Sequence, residues 1–220
     1  MGSEFHRIKR LPPYVFSEVN QLKLAARALG KDIIDFGMGN PDMPTPTHIV
    51  DKMQETLRNP KTHGYSASRG INGLRKAVAG FYARRFSVEI DPETETIGTL
   101  GSKEGLANLA SAITTPGDVI LVPNPSYPIH QFGFMIAGAS VRNVPVLPDK
   151  NYMGALESAV RHSVPKPIAL VLNYPNNPTT ITAPFEFYEE VVSFCKSHEI
   201  YVLSDLAYSE LYFDGHPPPS

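Results

Sequence analysis

Apolar and polar residues alternate along this chain with two different rhythms, and the change from one to the other divides it. In residues 15–29, VFSEVNQLKLAARAL, the positions Val15, Val19, Leu22, Ala26 and Leu29 fall on one face of a helix, and Gly30 supplies its stop. A short apolar run, IIDFGMGNPDMPTP, then breaks into a glycine- and proline-rich loop. Pro46 or Thr47 opens a second helix through HIVDKMQETL, which Asn59-Pro60 should end. A third begins at Ile71, INGLRKAVAGFYARRF, with Leu74, Val78, Phe81 and Tyr82 expected to face inward.

Beyond residue 100 the pattern becomes regular. GSKEGLANLASAITT reads as a helix entered through a glycine turn. VILVP, ASVRNVPV, IALVLNYP and IYVLSDLAY read as strands, separated by the helical stretches IHQFGFMIAG, MGALESAVRH and FEFYEEVVSFCKSH. Continuous apolar strands between amphipathic helices predict an α/β fold, a parallel sheet covered on both faces. Ligands of such sheets bind beyond the carboxyl ends of the strands. The loops at residues 124–128, 174–180 and 204–208 all fall there.

Composition narrows the picture. Of 220 residues, 42% are hydrophobic and 19% charged, which is ordinary for a globular protein. A net charge of −2 with no large basic cluster argues against a nucleic-acid surface, and RIKR at 7–10 is too short to change that. The single cysteine, Cys195, sits in an amphipathic helical pattern and reads as a packed helix residue. A lone cysteine suits a reducing compartment, and with no apolar run of membrane-spanning length the expectation is a cytoplasmic protein. Prolines number 21, nearly twice the usual share of about 5%, and they cluster at joints such as Pro41–Pro46, Pro145–Pro148 and Pro175–Pro178. The chain is therefore punctuated by stiff loops.

Several of these loops carry candidate chemistry. TLGSKEG, at 99–105, combines a glycine turn, a helix start, the Ser102 hydroxyl and the Lys103 charge, which together suit a phosphate. The plainer alternative is a helix N-cap with Ser102 as the cap. Asp205, at a strand end, could hold Mg²⁺, cap a helix or pair with a cationic ring nitrogen, and Tyr208 follows three residues later. Tyr127, held between prolines in PSYP, could stack on a flat ligand or belong to the core. In NYPNNPTT, at 173–180, two prolines stiffen a bracket around Asn176 and Asn177, and Asn177-Pro178 is a candidate cis bond. No GxGxxG motif with its acidic partner is present, so a nicotinamide dinucleotide fits poorly.

The order of these elements resembles the class I and II, fold-type I, pyridoxal-phosphate aminotransferases. LPPYVF, IDFGMGNPD, THGYSASRGINGLR, GSKEG and VPNPSYP are similar to the bacterial alanine (glutamate–pyruvate) aminotransferase group, with LL-diaminopimelate aminotransferase a near relative. The resemblance implies a three-layer αβα large domain over 46–220, incomplete here, with 1–45 an N-terminal arm belonging to the small domain. It implies pyridoxal phosphate as cofactor, an amino acid and a 2-oxo acid as substrates, and a homodimer at full length. Ser102 and Lys103 would hold the phosphate, Tyr127 would stack on the ring, and Asn177 and Tyr208 would donate to the ring oxygen. Asp205 would pair with the ring nitrogen, and Tyr65 would reach a partner subunit's phosphate. Tyr14 and Gly39 would lie near the substrate.

Two departures from the family pattern carry expectations. Thr180 stands where many members have glycine, which should remove a left-handed option from that turn. The cofactor-binding lysine of the family lies beyond the DLAY segment, in an S-x-S-K context, and is not among these residues; nor is the substrate-carboxylate arginine. The chain alone is thus expected not to transaminate, and none of its residues is assigned as catalytic. A non-catalytic remnant that binds the cofactor weakly or serves as an interaction module is the alternative.

Overall fold

Side chains of successive strand residues point to opposite faces of a sheet, so an unbroken apolar strand needs cover on both sides. The computed structural model shows how this chain supplies it. It describes residues 5–9, 11–37, 39, 42–147 and 149–220, the side chains of Arg7 and Lys150 excepted. Arg10 of the basic tetrapeptide, Met38, Asn40 and Pro41 of the first glycine-proline loop, and Pro148 lie outside the described residues.

Helices α1 (His6–Lys9), α2 (Val15–Ala28), α3 (Thr47–Arg58), α4 (Asn72–Phe86) and α5 (Ser102–Ile113) come first along the chain. Strand β1 (Val119–Asn124) then leads through α6 (Ile129–Ala137) to β2 (Ser140–Pro145). Helix α7 (Lys150–Arg161) connects to β3 (Pro167–Asn173), and α8 (Phe185–Ser197) to β4 (Tyr201–Asp205). All three strand pairings are parallel, in the order β2-β1-β3-β4.

The two faces bury separate cores. Leu121, Leu170 and Leu172 pack with Tyr152 and Leu156 of α7 and with Phe187, Val191 and Cys195 of α8. The intervening residues Ile120, Val122, Ala169 and Val171 turn the other way, onto Ala110 of α5 and Phe134 of α6. Each fully buried aliphatic side chain of this kind contributes about 1.5–3 kcal/mol. Cys195 is a packed helix residue, as expected, and burial pushes its thiol up to about 11.

Helices α2, α3 and α4 form where the periodicity predicts, but the apolar faces of α2 and α3 stay largely open and that of α4 is only part-buried. Leu22 is 71% exposed, and Val15 and Leu29 are exposed as well. On α4, Val78, Phe81 and Tyr82 are part-buried, while Leu74 is about half-exposed and the buried residue is Arg75. The inward assignment of Leu74 is corrected accordingly. Amphipathic spacing shows that a face is suited to cover, not that neighbouring elements supply it.

Among the described residues four X-Pro bonds are cis: Asn124-Pro125, Val164-Pro165, Tyr174-Pro175 and, as anticipated, Asn177-Pro178. Among the described residues, no helix is long and apolar enough to cross a membrane.

Candidate functional site

Strands β1, β3 and β4 end side by side, and α5 begins near the same edge. Between them lies a cavity of about 180 Å³ lined by Ser102, Lys103, Tyr127, Asn177, Asp205 and Tyr208, together with Asn173. Register places Asn173 opposite Asp205 at the last step of the β3–β4 ladder. The Asn173 amide uses that position twice. Its Nδ2 donates to the Asp205 carbonyl at 3.1 Å, and its Oδ1 accepts from the Asn177 backbone N–H at 3.1 Å.

Asp205 is held from three sides. The Asp205 Oδ1 accepts from the Ala207 N–H at 3.1 Å, and Oδ2 lies 2.8 Å from Nε2 of a completely buried histidine, His130 on α6. Burial alone would raise the Asp205 carboxyl. The His130 hydrogen bond and charge, with the Ala207 N–H, outweigh it and hold the carboxyl below its ordinary value. An ionised Asp205 can only accept, so His130 Nε2 carries the proton between them. The other ring nitrogen, Nδ1, is buried without a hydrogen-bond partner. Tyr127 meets the His130 ring edge-on at 6.2 Å between centroids.

The opposite wall is the bracket after β3. Asn177 Nδ2 donates to the Tyr208 hydroxyl at 3.1 Å, so an amide and a phenol from two different strand ends converge on one point. Asn176 is only 3% exposed and braces the turn from inside, its Oδ1 accepting from the backbone N–H and hydroxyl of Thr179. The turn closes through Thr180 N–H to the Asn176 carbonyl at 2.8 Å. Thr180 nevertheless adopts φ +61°, so the expectation that threonine would remove the left-handed option is overturned. The closing hydrogen bonds hold the backbone in that region despite the branched side chain.

The third wall is the start of α5. Gly101, at φ +88°, is the residue before the helix, and Ser102 is its first helical residue, not its cap. The N–H groups of a first turn have no partner within the helix and carry its positive end. Lys103 extends over the Tyr127 ring, its Nζ 5.1 Å from the centroid, and interaction with the Tyr127 phenol raises its pKa. One end of the cavity is therefore cationic and the other carboxylate, with an aromatic face between.

Of the remaining candidates, Tyr14 is about half-exposed and close enough for its phenol to act on the Lys103 charge. Gly39 lines a larger neighbouring cavity of about 880 Å³, which shares Asn177 and Tyr208 with the first. Tyr65 is fully exposed and lines neither. Six of the nine candidates thus share one cavity, Tyr14 and Gly39 lie at its margins, and Tyr65 stands apart. Sequence reasoning missed His130 and Asn173. The one available signal for His130 was its place three residues after Tyr127, in the first turn of the helix that follows.

A parallel α/β sheet thus gathers a helix N-terminus with a lysine, an aromatic ring, an amide–phenol pair and a carboxylate around one cavity at its carboxyl edge. Residues 31–220 match aminotransferase class I and II, and the chain belongs to that family, whose cofactor is pyridoxal phosphate. It is 62% identical to AatC of Rhizobium meliloti over 99% of this chain and 54% of that protein. It is 53% identical to the glutamate–pyruvate aminotransferase AlaC of Escherichia coli over 98% of this chain and 52% of AlaC. A mutant aspartate aminotransferase structure from Thermus thermophilus superposes with a TM-score of 0.89 at 32% identity, covering 100% of this chain and 57% of that one. The chain spans about half the length of the relatives it matches.

Proposed function

We propose that this cavity holds pyridoxal phosphate, and that the whole protein moves an amino group between an amino acid such as alanine or glutamate and a 2-oxo acid. The observation that carries the reading is the Asp205–His130 pair at 2.8 Å, placed across one cavity from Lys103 and beside the Asn177–Tyr208 pair. When bound, the cofactor supplies an electron sink for the carbon that bears the amino group.

The residues divide that task. Ser102 and Lys103, at the positive end of α5, receive the phosphate. Tyr127 covers one face of the ring. Asn177 and Tyr208 direct two donors at the ring oxygen, and the ionised Asp205 keeps the ring nitrogen protonated. His130 and Asn173 orient Asp205, so they act through it. The glutamate–pyruvate activity named for AlaC supports the choice of substrates. Tyr14 and Gly39, at the margin, suit the substrate side. The exposure of Tyr65 suits a role across a homodimer interface, and a lone buried cysteine suits the cytoplasm.

Asp205→Ala in the full-length protein tests this. Cofactor affinity and turnover should fall together, by at least about 100-fold in turnover, while far-UV circular dichroism is retained. Normal turnover in that variant would sink the assignment.

A further inference from the structure

Arg75 is the one buried residue of α4, with 7% of its surface exposed, on a helix whose expected apolar face is only part-buried. Its guanidinium is used almost completely. Nε donates to the Pro92 carbonyl at 2.9 Å, Nη1 to the Gly70 carbonyl at 2.7 Å, and Nη2 to both Glu93 carboxylate oxygens at 3.0 and 2.9 Å. Arg69 closes the same knot from outside, its guanidinium donating to the Glu93 carbonyl and lying 3.4 Å from the carboxylate. Two loops distant in sequence, one ending at Gly70 and one starting at Asp91, are thereby fastened to a single helix.

The knot continues towards the cavity. Gly98 N–H donates to the Arg69 carbonyl at 2.9 Å, and a Cβ on Gly70 would lie 3.1 Å from the Gly98 Cα. Gly70, at φ +81° and against backbone, is therefore required by close approach, while a Cβ on Gly98 would meet the movable end of Leu74 at 3.0 Å. From Gly98 the chain runs directly into Thr99, whose hydroxyl donates to the Gly101 carbonyl at 3.0 Å and sits where a Cβ on Gly105 would touch it at 3.2 Å. Glu104 accepts from the Leu100 N–H. From Arg75 to the first turn of α5 the path consists of hydrogen bonds, close glycine contacts and the short covalent run from Gly98 to Gly101.

Resting on the cofactor reading above, we propose that Arg75 is a positioning residue for the cofactor phosphate. It fixes the 69–70 and 91–98 segments against α4, so that Gly98–Gly101 delivers Ser102, Lys103 and the α5 N–H groups at one place. The same knot anchors the loop that carries Tyr65. Arg75 touches no reacting group; its effect is confined to the anionic end of the ligand.

The test compares two probes on the full-length apoprotein, pyridoxal phosphate and pyridoxal, the second lacking the phosphate. Titration by absorbance gives a dissociation constant for each. Arg75→Met should weaken pyridoxal phosphate by about tenfold and pyridoxal by less than about twofold, with Arg75→Lys between wild type and Arg75→Met. Glu93→Gln, at a half-exposed carboxylate, should give the same selectivity at about threefold, and it decides the question if Arg75→Met does not fold. Equal losses for both probes would make Arg75 a fold residue only and overturn the proposal, as would no loss. Lys103→Ala separates the two readings. A phosphate-selective loss there without one at Arg75 overturns this inference alone, and no loss at Lys103 overturns the cofactor reading beneath it.

Discussion

Thr180 offers a quantitative check on the bracket that carries Asn177. At φ +61° its Cβ crowds the neighbouring carbonyl, and for a β-branched residue this conformation costs about 1–3 kcal/mol. Thr180→Gly removes that cost. Against it stands the extra freedom of glycine in the unfolded chain, about 0.5–1 kcal/mol. The residue is exposed, and the bond that closes the turn is its backbone N–H to Asn176 at 2.8 Å, which glycine retains. The balance runs from about zero to about 2.5 kcal/mol and centres on about 1 kcal/mol of stabilisation, a rise in melting temperature of about 2–4 °C for a chain of this size. Differential scanning calorimetry and urea midpoints at equal protein concentration would measure it, with Thr180→Ala as control. Alanine keeps the Cβ but loses the branch, so its gain should be smaller. A lower midpoint for Thr180→Gly, or a larger gain for Thr180→Ala, would refute strain at this φ as the operative effect.

Two further outcomes follow from the shifted groups. The Asp205 carboxyl is depressed from its ordinary 3.8, so its contribution to stability is present above that pH and is lost as pH falls through the lower folded value. Acid unfolding of Asp205→Asn should therefore lack this part of the decline, and an unchanged acid limb relative to wild type would count against the His130 pairing. Cys195, with its thiol pushed up to about 11 and no exposed surface, should react with a thiol-titrating reagent at pH 8 only after denaturation. Rapid reaction of the native protein would show that α8 does not pack as described.

The sheet and much of the cavity were legible because the groups involved are fixed by local backbone. A run such as VILVP needs burial on both faces whatever its neighbours, and Asp205 follows from the end of YVLSD without knowledge of any other strand. The glycine turn before Ser102 is equally local. His130 was not legible, since its partner lies 75 residues away and a histidine within IHQFGFMIA has no pattern of its own. Asn173 was hidden for a related reason. It completes an apolar strand, and only its register opposite Asp205 gives it work.

Arg75 shows the same limit from the other direction. On a helical wheel an arginine next to Leu74 reads as the solvated side, because charge is expensive to bury without partners. The partners here are two backbone carbonyls and a carboxylate from segments that periodicity leaves as loops. What makes the burial tolerable is thus what makes it informative. A cation placed in a dry position is retained only if it fixes other groups, and the groups this one fixes lead by short, stiff steps to the N-terminus of α5. The residues that touch a ligand at a strand end can be read from the strand. The residues that decide where that end and the facing helix meet belong to the tertiary structure, and here they are the buried polar side chains of Asn173, His130 and Arg75.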